Sequence, residues 1–272
     1  MESISRDCCS SIYKPLYVVC CMQGFLFWEV NDMNKKIKVV KVGGSSLATP
    51  EKIDDIAKIL SKRQEKVVLV VSAMGKTTDM LLNLSKEVNE NASSRELDML
   101  LATGEQVSAS LMSMALQKYD RKSISLTSFQ ANIMVEGVHQ KAIIKDVGAQ
   151  SILDYLDRYD FVVVTGFQGI NENKDYMTLG RGGSDTSAVA LAVTLQCPCE
   201  IYTDVSGIYS IDPRRCENAK KLDIISYEEM IELALSGSNV LEPRSVELAY
   251  KYQVPLYVGQ ITNNENGTWI RS

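Results

Sequence analysis

Four short stretches of this 272-residue chain carry side chains suited to chemistry. The first is Lys41-Val-Gly-Gly-Ser-Ser46. Gly43 and Gly44 expose backbone N–H groups, Ser45 adds a hydroxyl, and Lys41 stands just ahead of them. That is a phosphate clamp by type, although the lysine precedes the glycines and the Gly-x4-Gly-Lys-Ser/Thr loop is absent. The second, Ser72-Ala-Met-Gly-Lys-Thr-Thr-Asp79, is a glycine-containing loop rich in hydroxyls. The third is Thr103-Gly-Glu105, where a glutamate beside a glycine could bind an ammonium group. The fourth is Thr178-Leu-Gly-Arg-Gly-Gly-Ser-Asp-Thr-Ser-Ala188. Its three glycines let a backbone approach a ligand closely at a helix start, where an anion is favoured. Within it Arg181 offers a planar guanidinium for a carboxylate or phosphate, and Asp185 opens the helix.

Each stretch alone has a plainer reading: a strand-end lysine that snorkels, an exposed helical glutamate, a surface turn with a Ser or Asp cap. Together they supply a lysine and glycine loops for phosphates, an arginine for a carboxylate, a glutamate for an ammonium, and Asp185 to orient Lys41 or polarise a substrate. The reaction class that fits is phosphoryl transfer from a nucleotide to a small zwitterionic acid. No metal ligand from the protein is needed, because Mg²⁺ would arrive on the nucleotide phosphates.

These residues must be positioned by the elements around them. Ile37–Val42, Lys66–Ser72, Phe161–Thr165 and Glu200–Val205 are short, nearly continuous apolar runs, as expected for strands buried on both faces of a parallel sheet. Alternation places Lys41 on the same face as Val39. Helical patterns are predicted at 50–60, with Ile53, Ile56, Ala57 and Leu60 forming one stripe, and at 80–89, 94–119, 186–195 and 244–252. A further helix is capped by Ser226, with Glu228 and Glu229 in its first turn, and ends at Gly237. Gly104 predicts a break in the 94–119 helix, since a mid-helix glycine costs about 1 kcal/mol against alanine. Residues 123–150 are less periodic, with short strands expected at 124–127 and 142–145. A final strand is expected at 255–258. The alternation defines an α/β protein: a three-layer α/β/α sandwich around a mostly parallel sheet, as one doubly wound domain over residues 35–272. In such a sheet the ligand crevice lies outside the carboxyl ends of the strands. The loops at 43–46, 72–78, 180–186 and 203–207 should therefore face one site.

Composition narrows the function. A net charge of −5 gives no basic field for nucleic acid. Four of the seven cysteines (Cys8, Cys9, Cys20, Cys21) lie in the first thirty residues, and Cys197-Pro-Cys199 has no second pair to complete a zinc site. Reduced thiols and a cytoplasmic setting are expected. One histidine, His139, effectively excludes mechanisms built on a histidine base or a multi-histidine metal site. Residues 1–34 read as an N-terminal extension, poorly ordered or preceding a true start at Met33. Their apolar run, Leu16–Trp28, is too short for a stable membrane span.

The collinear set resembles the aspartokinases, within the wider amino acid kinase family. It comprises Lys41–Ser46, Ser72–Asp79, Thr103–Glu105, Thr178–Ala188, Tyr202–Tyr209 with Asp212-Pro-Arg214, and Glu242-Pro-Arg-Ser-Val246. The resemblance covers nearly all of residues 36–260. It implies an amino acid kinase-like fold and conversion of L-aspartate and ATP to 4-phospho-L-aspartate and ADP, the entry to lysine, methionine and threonine synthesis. It further implies that Lys41 neutralises the phosphoryl group in flight, with Gly43, Gly44 and Ser45 beside the phosphates, and that Asp185 positions Lys41 and the substrate. Arg181 would hold the α-carboxylate and Glu105 the α-amino group, with Ser72, Thr78 and Ser184 lining the acceptor pocket. Thr203, Asp204, Tyr209 and Arg214 would contact the nucleotide. Two departures stand out. Asn239 replaces a lysine that helps many members bind nucleotide. The chain also ends where ACT-type regulatory domains usually begin, which leaves feedback control and a homodimer open. A sister kinase acting on glutamate or a related small acid, and a truncated subunit of low activity, are the alternative readings.

Overall fold

The computed structural model describes residues 37–211, 218–237, 240–262 and 266–272. In chain order the strands and helices are β1 (Ile37–Val42), α1 (Pro50–Leu60), β2 (Lys66–Val71), α2 (Thr77–Val88), α3 (Ser94–Lys118), β3 (Ser123–Leu126), β4 (Ile133–Glu136) and β5 (Ile143–Val147). They continue as α4 (Ala149–Leu156), β6 (Phe161–Thr165), β7 (Gln168–Ile170), β8 (Tyr176–Thr178), α5 (Gly183–Leu195) and β9 (Cys199–Tyr202). The last are β10 (Ile224–Ile225), α6 (Tyr227–Leu235), α7 (Pro243–Tyr252), β11 (Leu256–Gly259) and β12 (Thr268–Ile270).

Eight strands form the central sheet in the order β10-β12-β11-β9-β1-β2-β6-β3. Every pairing from β11 through β3 is parallel, and β12 turns antiparallel to β11 at one end. The strand side chains divide between two buried clusters. Val39, Val68, Val70, Val162 and Val164 enter one, with α4, α5, α6 and α7. Val40, Val42, Leu69, Val71 and Val163 enter the other, with α1 and α3. Two apolar faces explain the absence of hydrophobic alternation in these strands and give the expected three layers. Helix α5 is buried nearly all round, which accounts for its Ala- and Val-rich composition without a polar stripe.

Local signals fix several boundaries as read. Thr49 accepts from the Lys52 N–H at the start of α1, whose buried residues are Ile53, Ile56, Ala57 and Leu60. Ser226 and Glu229 form a reciprocal capping box on α6. Other features differ from expectation. Helix α3 runs unbroken through Gly104. A Cβ there would lie 3.0 Å from the Ala73 Cβ and 3.6 Å from the Thr77 Cγ2, so close packing against the 73–77 loop, not a helix break, explains the glycine. A second, four-stranded sheet in the order β5-β4-β7-β8 was not anticipated. Neither were α4 and the terminal strand β12. Residues 1–34, Arg214, Cys216 and Asn239 lie outside the described residues. Cys197 and Cys199 are free and buried.

Candidate active site

The carboxyl ends of β1, β2 and β6 and the first turn of α5 border a cleft of about 520 Å³. Its walls include Lys41, Gly44, Ser45, Ser72, Thr78, Glu105, Arg181, Ser184 and Asp185. Three of the four anticipated loops therefore converge. The fourth follows β9, the next strand over, and is tied to the first because the Gly43 N–H donates to the Tyr202 carbonyl at 3.1 Å. Thr203, Asp204 and Tyr209 are not in the cleft wall. Thr203 Oγ1 donates to Asp204 Oδ1 at 2.9 Å, and the Tyr209 hydroxyl meets Ser206 Oγ at 2.9 Å.

Lys41 has the parity of Val39, which turns it toward α5. There its Nζ lies 2.7 Å from Asp185 Oδ1, with both side chains 11% exposed. The contact is an ion pair. Desolvating both ions makes such a pair a poor source of stability, so its value lies in holding charge at the cleft. The helix presents Asp185 because Gly182, at φ +68°, is its N-cap and no side chain fills that role. The cap expected of a Ser or Asp is absent, leaving the end of α5 open to the cleft.

Gly44 sets the phosphate-type loop against its neighbour. The Gly75 N–H donates to the Gly44 carbonyl at 2.9 Å, and a Cβ on residue 44 would lie 2.5 Å from the Ala73 carbonyl oxygen. Backbone cannot yield there. Gly44→Ala should lower stability by about 1–3 kcal/mol, as overpacking does, and this can be read from urea midpoints at unchanged m-value.

Glu105 emerges from α3 behind this loop and is 3% exposed. Its Oε1 accepts the Ala73 N–H at 2.9 Å, whereas Oε2 is buried without a partner. Burial pushes this carboxyl up to about 8, against the opposing pull of the Ala73 N–H. An orphaned carboxylate oxygen in a polar cleft invites a cationic or donor group from a ligand. Arg181 borders the same cleft from an exposed loop. With Lys41 matched by Asp185 and Glu105 largely protonated at neutral pH, the Arg181 charge is left for an anion.

Sequence reasoning missed Phe167, which lines the cleft at φ +69°, an uncommon conformation for a bulky residue. It is held there by the Ser187 hydroxyl, which accepts its N–H at 3.1 Å, and by its carbonyl, which accepts from Leu179 at 2.9 Å. It missed Asp98 as well. This carboxylate is wholly buried, accepting from Thr178 Oγ1 at 2.7 Å and the Gln140 N–H at 3.0 Å, and lying 2.7 Å from His139 Nδ1. The lone histidine is thus engaged outside the cleft wall. Among the described residues, no cluster of three or more His, Cys, Asp or Glu side chains could hold a metal ion, and no helix is long and apolar enough to cross a membrane.

A mostly parallel sheet with a lysine, an acid-opened helix and glycine loops at its carboxyl edge defines a class, and the comparisons agree. Residues 36–260 match the sequence model of the amino acid kinase family, and the chain belongs to that family. It is 50% identical over 236 residues to Aspartokinase 2 of Bacillus subtilis, and 48% identical over 239 residues to the aspartokinase of Geobacillus stearothermophilus. Those alignments cover 85% and 86% of this chain, but 58% and 59% of the two relatives. The chain therefore spans less than two thirds of their length. The crystal structure of aspartate kinase from Synechocystis superposes with a TM-score of 0.76 at 44% identity, covering 86% of this chain and 40% of that one. Uridylate kinase from Archaeoglobus fulgidus, at 21% identity and a TM-score of 0.60, shares the fold, with 99% of its chain covered.

Proposed function

We propose that this chain transfers the γ-phosphoryl group of ATP to the β-carboxylate of L-aspartate, giving 4-phospho-L-aspartate and ADP. The observation that carries the reading is the pairing within one cleft of a buried, half-satisfied Glu105 carboxylate with the Arg181 guanidinium, which has no ion-pair partner among the described residues. One suits a free α-ammonium, the other an α-carboxylate, and an amino acid supplies both. The aspartokinases at 50% and 48% identity point to the same acceptor.

In this reading a β-carboxylate oxygen attacks the γ-phosphorus, and the bond from that phosphorus to the β,γ-bridging oxygen breaks as ADP leaves. No proton is transferred, so no general base is required, and catalysis rests on positioning and charge. Lys41 lies against the transferring group and balances the charge on its equatorial oxygens. Asp185 holds the Lys41 ammonium in place. Gly44 and Ser45 give the phosphates close access to backbone N–H groups, whereas the Gly43 N–H, expected to be exposed, is taken by the Tyr202 carbonyl and Gly43 serves to keep the loop free of a side chain; Ser72, Thr78 and Ser184 border the acceptor. The loop carrying Thr203, Asp204 and Tyr209 takes the rest of the nucleotide, with Mg²⁺ bound to its phosphates.

Hydroxylamine trapping with MgATP tests this directly. Aspartate should give an acyl hydroxamate and glutamate at most a small fraction of it; preferential trapping with glutamate would move the assignment to a sister kinase. Arg181→Ala should raise the aspartate KM on the order of a hundredfold with little change in the ATP KM. An unchanged aspartate KM would refute the role given to Arg181.

A further inference from the structure

The loop that carries Arg181 has little regular structure of its own. It runs from Leu179 to Gly182 with Gly180 and Gly182 at φ +78° and +68°. Its internal bonds are few: the Gly183 N–H reaches the Gly180 carbonyl at 3.0 Å, and the Asp185 N–H reaches the Gly182 carbonyl at 3.0 Å. One flank is rigid. A Cβ on Gly180 would lie 2.9 Å from the Gln140 carbonyl oxygen, and the buried Asp98 carboxylate fixes Gln140 and Thr178 behind it.

The other flank is the start of α7. Arg244 Nη2 donates to the carbonyls of Leu179 at 3.2 Å and of Arg181 itself at 3.1 Å. Its Nε donates to Glu242 Oε1 at 3.2 Å, which keeps the guanidinium plane turned to the loop. Glu242 lies so close to the loop that a Cβ on Gly182 would lie 2.5 Å from the Glu242 Cβ. The Arg244 side chain remains 45% exposed, so it contributes little to the core. Its contacts are concentrated on the residue whose side chain faces the cleft and on a near neighbour of that residue.

We infer that Arg244 is a positioning residue for the acceptor, acting through the backbone of Arg181. The inference rests on the acceptor role proposed above for Arg181. By holding the Leu179 and Arg181 carbonyls, Arg244 limits the directions in which the Arg181 guanidinium can point. Loss of that restraint lowers the fraction of time the acceptor site is correctly formed, which weakens acceptor binding and leaves nucleotide binding alone.

The test uses the full chain with Arg244→Met and Arg244→Lys. Lysine retains a donor for the two carbonyls; methionine retains only the apolar stem. Arg244→Met should raise the aspartate KM on the order of tenfold, leave the ATP KM within about twofold, and leave Tm unchanged, with Arg244→Lys recovering most of the loss. Amide hydrogen exchange gives a readout independent of the substrate: the Gly183 and Asp185 N–H groups should exchange about tenfold faster in Arg244→Met than in the parent or in Arg244→Lys. Unchanged exchange at both amides would overturn the inference. So would a rise in both KM values together with a fall in Tm, which marks a merely structural residue. If the parent chain forms no aspartyl phosphate, the proposed acceptor is wrong, and the exchange comparison still decides whether Arg244 holds the loop.

Discussion

Lys41→Met should lower kcat on the order of a thousandfold or more, with a smaller effect on either KM. The expectation follows from where the charge sits. Lys41 Nζ is nearly buried, 2.7 Å from Asp185, and a Cβ on Gly43 would lie only 3.6 Å from it. The ammonium is therefore held over the glycine loop before any nucleotide binds. In the proposed reaction its interaction is greatest when negative charge spreads over the phosphoryl oxygens, which places its contribution in the transition state. Removing it also strands Asp185 as a buried, unpaired carboxylate, and that costs about 3–5 kcal/mol. A second substitution separates the two effects. Lys41→Met with Asp185→Asn should recover much of the lost stability and none of the activity, as measured by denaturant melts and steady-state rates on the same preparations. Recovery of activity in the double variant would show that Lys41 matters only as a partner for Asp185.

Glu105→Gln should change three quantities together. Acceptor binding should weaken on the order of a hundredfold, because a neutral amide replaces the charged partner of an ammonium. The pH dependence of that binding should vanish. In the parent chain burial holds the carboxyl up to about 8, so at neutral pH an arriving ammonium must displace a proton. The apparent acceptor affinity should rise toward tenfold per pH unit as pH increases to about 8, then level off. Folding stability moves the other way. The folded chain keeps this proton up to about 8, while an ordinary glutamate gives it up near 4.5. Between those limits the folded state binds more protons than the unfolded one. The contribution of Glu105 is therefore fully present below about 4.5 and lost as pH rises through about 8. Glu105→Gln should lack that decline and exceed the parent in stability at pH 8–9 by a few kcal/mol. Isothermal titration and urea melts from pH 5 to 9 check both trends. Equal slopes in parent and variant would remove Glu105 from the ammonium role.

How much of this was legible in the sequence depends on the range of the interactions involved. The face on which Lys41 lies, the helix after Gly182 and Gly183, and the convergence of glycine loops all follow from local patterns: a two-residue period in β1, apolar runs too uniform for a one-sided sheet, and glycines ahead of a helix. Features set by distant contacts were not legible. Gly104 looks like a helix breaker in sequence, but in the fold it makes room for the 73–77 loop, and packing overrides a propensity cost of about 1 kcal/mol. The strands of the small sheet are three to five residues long; they form two short local pairs, β4 with β5 and β7 with β8, and the pairing of Met134 with Ile170 that joins them into one sheet spans distant sequence. Phe167 gives no sign of its positive φ. That conformation is imposed by Ser187, twenty residues later. Asp98 carries no signal in its predicted helix, and Arg244, although inside the Glu242–Val246 motif, has no role legible there until the fold brings the 179–182 loop against it, as it brings Thr178 and Gln140 against Asp98.

In the proposed reaction the phosphoryl group passes to the side-chain carboxylate of aspartate. This is read most directly from the identity of the product trapped when the chain, MgATP, L-aspartate and hydroxylamine react together. L-aspartyl β-hydroxamate should form in step with ADP. ADP release without any hydroxamate, or a hydroxamate on the α-carboxyl group, would contradict it.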